Sequence, residues 1–178
     1  MTEVRRETRE TNIHLIATRG TGSASIDTGE RFLDHMMTTL ARYSGLDLNL
    51  RATGDLRHHL IEDVAITFGM AVQRLAAEGI ARYGERTIPM DDALVQAVID
   101  IGGRPYYGGR LPSDLYDHWM RSFSDHSAAT LHLRVLAGDD RHHIVEAAFK
   151  ALGMALRDAL TRSDGIFSTK GNVVTKEG

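Results

Sequence analysis

The chain has 178 residues, enough for one domain or two small fused halves, and its 42% hydrophobic content is ordinary for a globular core. Its 21 basic and 24 acidic residues leave a net charge of -3, with no basic excess that would point to nucleic acid. It contains no cysteine, which excludes disulfides and thiolate metal sites, and neither a secretory signal nor an apolar run of membrane-spanning length, so the expectation is a soluble cytoplasmic protein without nucleic-acid or membrane partners.

Residues 12–18 and 23–27 read as Gly-punctuated strands. Phe32, Leu33, Met36, Met37 and Leu40 then form one apolar stripe at helical spacing. Residues 46–52 alternate strictly between apolar and polar, the pattern of a half-buried strand. A Gly-Asp pair, the tripeptide RHH and a longer helical stripe follow, the stripe comprising Leu60, Ile61, Val64, Ala65, Phe68, Ala71, Val72 and Leu75.

The same order then recurs. Residues 93–101 and roughly 104–111 are strand-like. Leu115, Tyr116, Trp119, Met120 and Phe123 repeat the first helical stripe 83 positions later, and Asp34-His35 within it recurs as Asp117-His118. Residues 129–135 alternate as 46–52 do. RHH returns at 141–143, followed at an offset of 84 by the stripe Ile144, Val145, Ala148, Phe149, Leu152, Ala155, Leu156 and Ala159. Gly69-Met70-Ala71 recurs as Gly153-Met154-Ala155. A mid-helix glycine costs about 1 kcal/mol relative to alanine, so its repetition predicts that the two long helices approach each other closely there. Each half reads β-β-α-β-α, over about 8–80 and 91–162, which gives one α+β domain across 1–178 with internal pseudo-twofold symmetry. Residues 163–178 fall outside the repeat and read as a polar tail or flap.

The repeated chemistry is H-H-x-x-E. His58 and Glu62 are i, i+4 at a helix start, and His59 and Glu62 are i, i+3, so all three project to one side, away from the apolar stripe. His142, His143 and Glu146 repeat them. Adjacent histidines diverge by about 100° on a helix, which suits two ions better than one. His132 points away from the apolar side of its strand, and His35 lies in the first short helix. Six histidines and two glutamates make two four-ligand sites without sulfur, suited to Mn, Fe, Zn or Ni and open to a substrate. The plainer reading of either HH pair alone is exposed polar decoration. Recurrence in register with the fold counts against it. His118 matches His35 by repeat position, but no further sequence feature singles it out, so it is expected at the surface or core edge. His14 and His126 are expected to face solvent.

Several segments together resemble the imidazoleglycerol-phosphate dehydratase family of histidine biosynthesis: RETRETN (6–12), FLDHM (32–36), HHLIED (58–63), PMDDAL (89–94), GRPY (103–106), TLHLRVLAG (130–138), HHIVEAAFKALGMAL (142–156) and STKG (168–171). The resemblance implies duplicated halves like domain 2 of ribosomal protein S5, with a four-helix layer between two four-stranded sheets. It implies 24-subunit shells with active sites at subunit contacts, and two Mn2+ ions per site, with other divalent transition metals as alternatives. The implied metal ligands are His35, His58, His59, Glu62, His132, His142, His143 and Glu146. Arg82, Arg104, Ser168 and Lys170 are implied to hold the substrate phosphate. Glu10 is the first candidate for the base and a substrate contact, with Glu62 and Glu146 as weaker, metal-bound bases. Asp91 is given no catalytic role. Two departures from the family pattern are a shorter loop before His58 and Thr39 where many members carry glutamine.

The implied reaction is dehydration of a glycerol chain on imidazole to the acetol phosphate. The carbon that loses its proton is not beside a carbonyl, so the ring must supply the electronic push. Held as imidazolate between two cations, it can expel the adjacent hydroxyl. The rival readings are a different dimetal enzyme, such as a hydrolase, and a non-catalytic S5-like protein that binds RNA or stores metal.

Overall fold

The computed structural model describes residues 1–77 and 79–163. Within them each half contributes four strands and two helices. The first half is β1 (Thr2–Glu7), β2 (Thr11–Arg19), β3 (Ala24–Asp27), α1 (Arg31–Ser44), β4 (Leu46–Gly54) and α2 (Arg57–Ala76). The second is β5 (Tyr83–Met90), β6 (Ala93–Ile101), β7 (Tyr106–Gly109), α3 (Asp114–His126), β8 (Ala129–Ala137) and α4 (Arg141–Ala159). The strand orders, β1-β2-β4-β3 and β5-β6-β8-β7, are the same under the repeat, and in both only the last pair is parallel.

Two corrections to the sequence reading follow. Each half opens with one strand more than its pattern announces, so the halves are β-β-β-α-β-α. β1 and β5 are edge strands. β1 buries only Val4, and β5 only Gly84, so neither carries the apolar alternation that marks a strand. The repeated glycines do mark close approaches, but between a long helix and a short one. A Cβ on Gly69 would lie 2.8 Å from the carbonyl oxygen of Phe123 in α3, and one on Gly153 would lie 2.8 Å from Cβ of Tyr43 in α1.

The helices pack between the two sheets, α1 and α2 against the first, α3 and α4 against the second, with α1 also meeting α4 and α2 meeting α3. The alternation of β2 and β4 turns Ile13, Leu15, Leu48 and Leu50 into this layer, and β6 and β8 do the same with Val95, Ala97, Leu131 and Leu133. At the centre Trp119 packs on Phe149 at 4.7 Å between ring centroids, with Phe68 and Phe123 beside it. Burying each such ring stabilises by roughly 1.5–3 kcal/mol.

The antiparallel hairpins give the molecule two ends. The β1–β2 and β5–β6 turns lie with the N-termini of α2 and α4, as the bonds Asp55 N–H to Glu10 O (3.0 Å) and Asp139 N–H to the Asp92 carboxylate (2.7 Å) show. The C-termini of the helices lie at the other end. There Gly45 caps α1 at φ 71°, a left-handed conformation that suits glycine.

Candidate metal centre

The end carrying the N-termini of α2 and α4 gathers most of the predicted ligands. In α1, Asp34 accepts bonds from the backbone N–H (2.9 Å) and hydroxyl (2.6 Å) of Thr28, which fixes the loop before the helix and sets His35 one residue on. His35 Nε2 lies 3.1 Å from Glu146 Oε2, and His142 Nε2 lies 3.3 Å from the same oxygen. The two imidazoles are stacked at 21° with centroids 6.2 Å apart. One ligand atom from each of the three residues falls within 4.8 Å of the others.

The repeat produces a second cluster. Asp117 accepts from the Tyr107 hydroxyl and the Leu111 N–H, both at 2.8 Å, as Asp34 does from Thr28. This positions His118, whose Nε2 lies 3.2 Å from Glu62 Oε1, while His58 Nε2 is 3.5 Å from Glu62 Oε2. His58, Glu62 and His118 again converge within 4.8 Å. Each cluster therefore takes one histidine from a short helix of one half and a His-x-x-x-Glu pair from a long helix of the other. His118 has no role in the sequence-based expectation. Its equivalence to His35 under the 83-residue shift is the signal that finds it.

The structure does not bring His132 to either cluster. Leu131 and Leu133 face the helix layer, so His132 lies on the outer face of the second sheet, its ring 5.4 Å from that of Tyr106. Strand alternation puts it across the sheet from the helices that carry the clusters.

His59 and His143 also stand apart from their neighbours. Their rings lie nearly perpendicular to those of His58 and His142, at 81° and 84°. Carboxylates hold both. His59 Nδ1 is 2.9 Å from Asp55 Oδ1 and 3.5 Å from Glu10 Oε2. His143 Nδ1 is 2.7 Å from Asp92 Oδ1, and its Nε2 is 3.4 Å from Asp91. Glu10 and Asp92 occupy matching places immediately before β2 and β6. The hydrogen bond to Asp55 raises the His59 pKa, and that to Asp92 raises His143. Asp92 is itself held far below the carboxylate range, first by the Asp139 N–H and then by His143. Such a pair fixes each ring through Nδ1 and leaves Nε2 as its second ligating nitrogen, which in His143 also lies near Asp91. Asp55 and Asp92 are backing groups that the sequence reading does not single out.

The clusters have the same ligand types but different surroundings. Glu146 is 9% exposed, and its second oxygen is 2.9 Å from Lys150 Nζ. Burial opposes its charge, but the bonds from Lys150 and His35 outweigh it, and the carboxyl stays below its ordinary pKa. Glu62 is 34% exposed, and the residue corresponding to Lys150 is Ile66. In donor chemistry, both clusters fit a divalent transition metal: two imidazole nitrogens, one carboxylate and room for further ligands.

The predicted phosphate contacts lie elsewhere. Arg82 is bound to Asp100 through Nε and, at 3.0 Å, through Nη2, which raises its pKa further. A Cβ on Gly103 would lie 3.7 Å from Arg82 Nη2, so Arg82 packs on the turn that carries Arg104. That turn follows the C-terminal end of β6, whereas Asp92 and the clusters lie near its start. Nine residues of strand at about 3.3 Å each separate the two by roughly 25–30 Å. Ser168 and Lys170 lie outside the described residues.

Comparison with known proteins bears on the family and the fold. The family model described as imidazoleglycerol-phosphate dehydratase matches residues 28–156. The chain is similar to proteins of that name from Bifidobacterium longum (44% identity, 93% of this chain and 95% of the relative) and Methanococcoides burtonii (44%, 95% and 97%). Among solved structures it resembles the Pyrococcus furiosus enzyme (TM-score 0.87, 41% identity, 96% of this chain and 100% of that one) and the Staphylococcus aureus enzyme (0.80, 32%, 92% and 100%). The match spans both His-His-x-x-E motifs and both short helices that complete the clusters, and on that ground the chain belongs to the imidazoleglycerol-phosphate dehydratases, a family of hydro-lyases.

Proposed function

We propose that this chain dehydrates imidazoleglycerol phosphate to imidazole acetol phosphate in histidine biosynthesis, using two divalent transition-metal ions, Mn2+ first among them. The observation that carries the reading is the pair of matching clusters, His35–His142–Glu146 and His58–Glu62–His118. A ring with two nitrogens calls for two ions, each with a vacant coordination position. When bound, the ions would act as Lewis acids on the ring and hold it in place. In this assignment His118 replaces His132 among the candidate ligands.

His59 and His143 stand outside the two clusters, each with its Nδ1 held by a carboxylate and its Nε2 as the second ligating nitrogen. They are the groups that a neighbouring subunit's cluster would receive. The separation of Arg82 and Arg104 from the clusters argues the same way. A substrate of one ring and a three-carbon chain is far too short to reach from one end of β6 to the other. A complete site therefore joins clusters and arginines from different subunits, consistent with a shell of 24 chains. Glu10, exposed and close to His59, is the candidate for moving the proton.

The test is turnover of imidazoleglycerol phosphate by purified, Mn-loaded protein, with metal analysis alongside. The expected result is two ions per chain and formation of the acetol phosphate. Protein that holds two ions per chain but forms no acetol phosphate would leave the hydrolase reading standing.

A further inference from the structure

The end of the molecule remote from the clusters carries a second concentration of functional groups. A cavity of about 220 Å3 opens where α1 and α4 end, and Arg19, Arg42 and Arg157 line it together with Thr21, Ser44 and Gly45. Among the described residues no carboxylate lines it. Asp47, beside Gly20, is committed to the backbone N–H groups of Thr21, Gly22 and Ser23 at 2.8–3.0 Å.

The simplest account is that these cations offset the helix C-terminal dipoles. The internal repeat tests that account. The positions corresponding to Arg19, Arg42 and Arg157 in the other half are Ile101, Asp125 and Gln73. The same architecture therefore forms without any of the three cations. The last turns of α2 and α3 do carry Arg74 and His126, but these are engaged, Arg74 with the Glu3 carbonyl (2.6 Å) and His126 with that of Ser122 (2.9 Å). Arg42 and Arg157 are exposed, and their guanidinium groups have no hydrogen-bond or ion-pair partner among the described residues. Arg19 is anchored, donating to the carbonyls of Leu160 and Leu75, and its buried Nε–H has no partner among the described residues. Arg157 and Asp158 serve different sides of the last turn of α4: Asp158 binds Arg86 at 2.6 Å, while Arg157 lines the cavity.

We propose that the cavity bounded by Arg19, Arg42 and Arg157 is a binding site for phosphate, free or as a phosphate monoester, separate from the grip assigned to Arg82 and Arg104. Guanidinium forks match phosphate oxygens in geometry, and two flexible arginines beside one fixed arginine close on a dianion better than on a carboxylate. At about 220 Å3 the cavity has room for a phosphate with a short organic stem.

The experiment is equilibrium dialysis of the full-length, Mn-loaded protein against labelled inorganic phosphate and, in a second arm, labelled glycerol phosphate, at constant ionic strength. The double variant Arg42→Asp/Arg157→Gln installs the residues that the other half tolerates at these places. It should lose one phosphate site per chain, or bind there about tenfold or more weakly, with kcat and KM unchanged. Arg104→Ala should spare this site and weaken the other. Tighter binding of the ester identifies an organic phosphate as the occupant, and equal binding identifies the free ion. Should the double variant misfold, Arg157→Gln alone, at an exposed helical position, reads the same loss. Unchanged stoichiometry and affinity in the variants, or displacement by equimolar chloride, would overturn the site. Either result leaves the dehydratase reading untouched.

Discussion

His118 and His132 carry the same imidazole, yet the backbone sends them to opposite sides of the second sheet. His118 should therefore behave as a ligand and His132 as a surface group. Replacing His118 with alanine should remove about one metal equivalent per chain and lower kcat by about 100-fold or more, whereas His132→Ala should retain both ions. Metal analysis and steady-state kinetics on the two variants check this. The acid-backed histidines make a second expectation. In metal-free protein the folded-state pKa values of His59 and His143 lie above the ordinary 6.5. Between 6.5 and those raised values the folded chain binds more protons than the unfolded one, so stability falls as pH rises through that window. Melting curves in chelator should show the midpoint dropping as pH rises above 6.5, and Asp92→Asn should flatten the drop. At this scale the sequence shows which residue types are present and how they repeat. It does not show His118 as a partner of Glu62, because that contact joins helices of different halves and lies far apart in the chain.

Gly69 and Gly153 set how closely each long helix lies on its short partner. Alanine at either position gains about 1 kcal/mol of helix propensity. It also drives a methyl to within 2.8 Å of the Phe123 carbonyl or of Tyr43 Cβ, neither of which can swing away. Overpacking should win, with a net loss of about 1–3 kcal/mol in urea unfolding for each variant. Among the elements, α1 to α4 and the alternating strands β2, β4, β6 and β8 were legible because one face of each is buried and leaves a periodic trace. β1 and β5 left none, since an edge strand with a polar outer face needs little apolar periodicity. The glycine repeat announced a tight contact but could not name the partner, because periodicity describes one helix at a time.

In the whole molecule, the end that carries the two ligand clusters and the Arg82–Arg104 end of β6 stand roughly 25–30 Å apart, so the proposed site needs more than one subunit. Chains lacking His118 and chains lacking Arg104 should each be inactive alone, and assemblies refolded from a mixture should recover a measurable fraction of turnover. Chelation should also shrink the particle, which sedimentation before and after metal removal will show. The pseudo-twofold relation was readable from the offsets of 83 and 84 residues, whereas the distance between the two chemistries appeared only once the strands had directions. One detail of the repeat reaches further. Lys150 stands behind one cluster and Ile66 holds the matching place behind the other, so the duplication has kept the candidate ligands alike while making the two clusters unlike. Under the proposed function, a heterocycle held between two such clusters would have no equivalent reversed pose, and its side arm would leave on one fixed side.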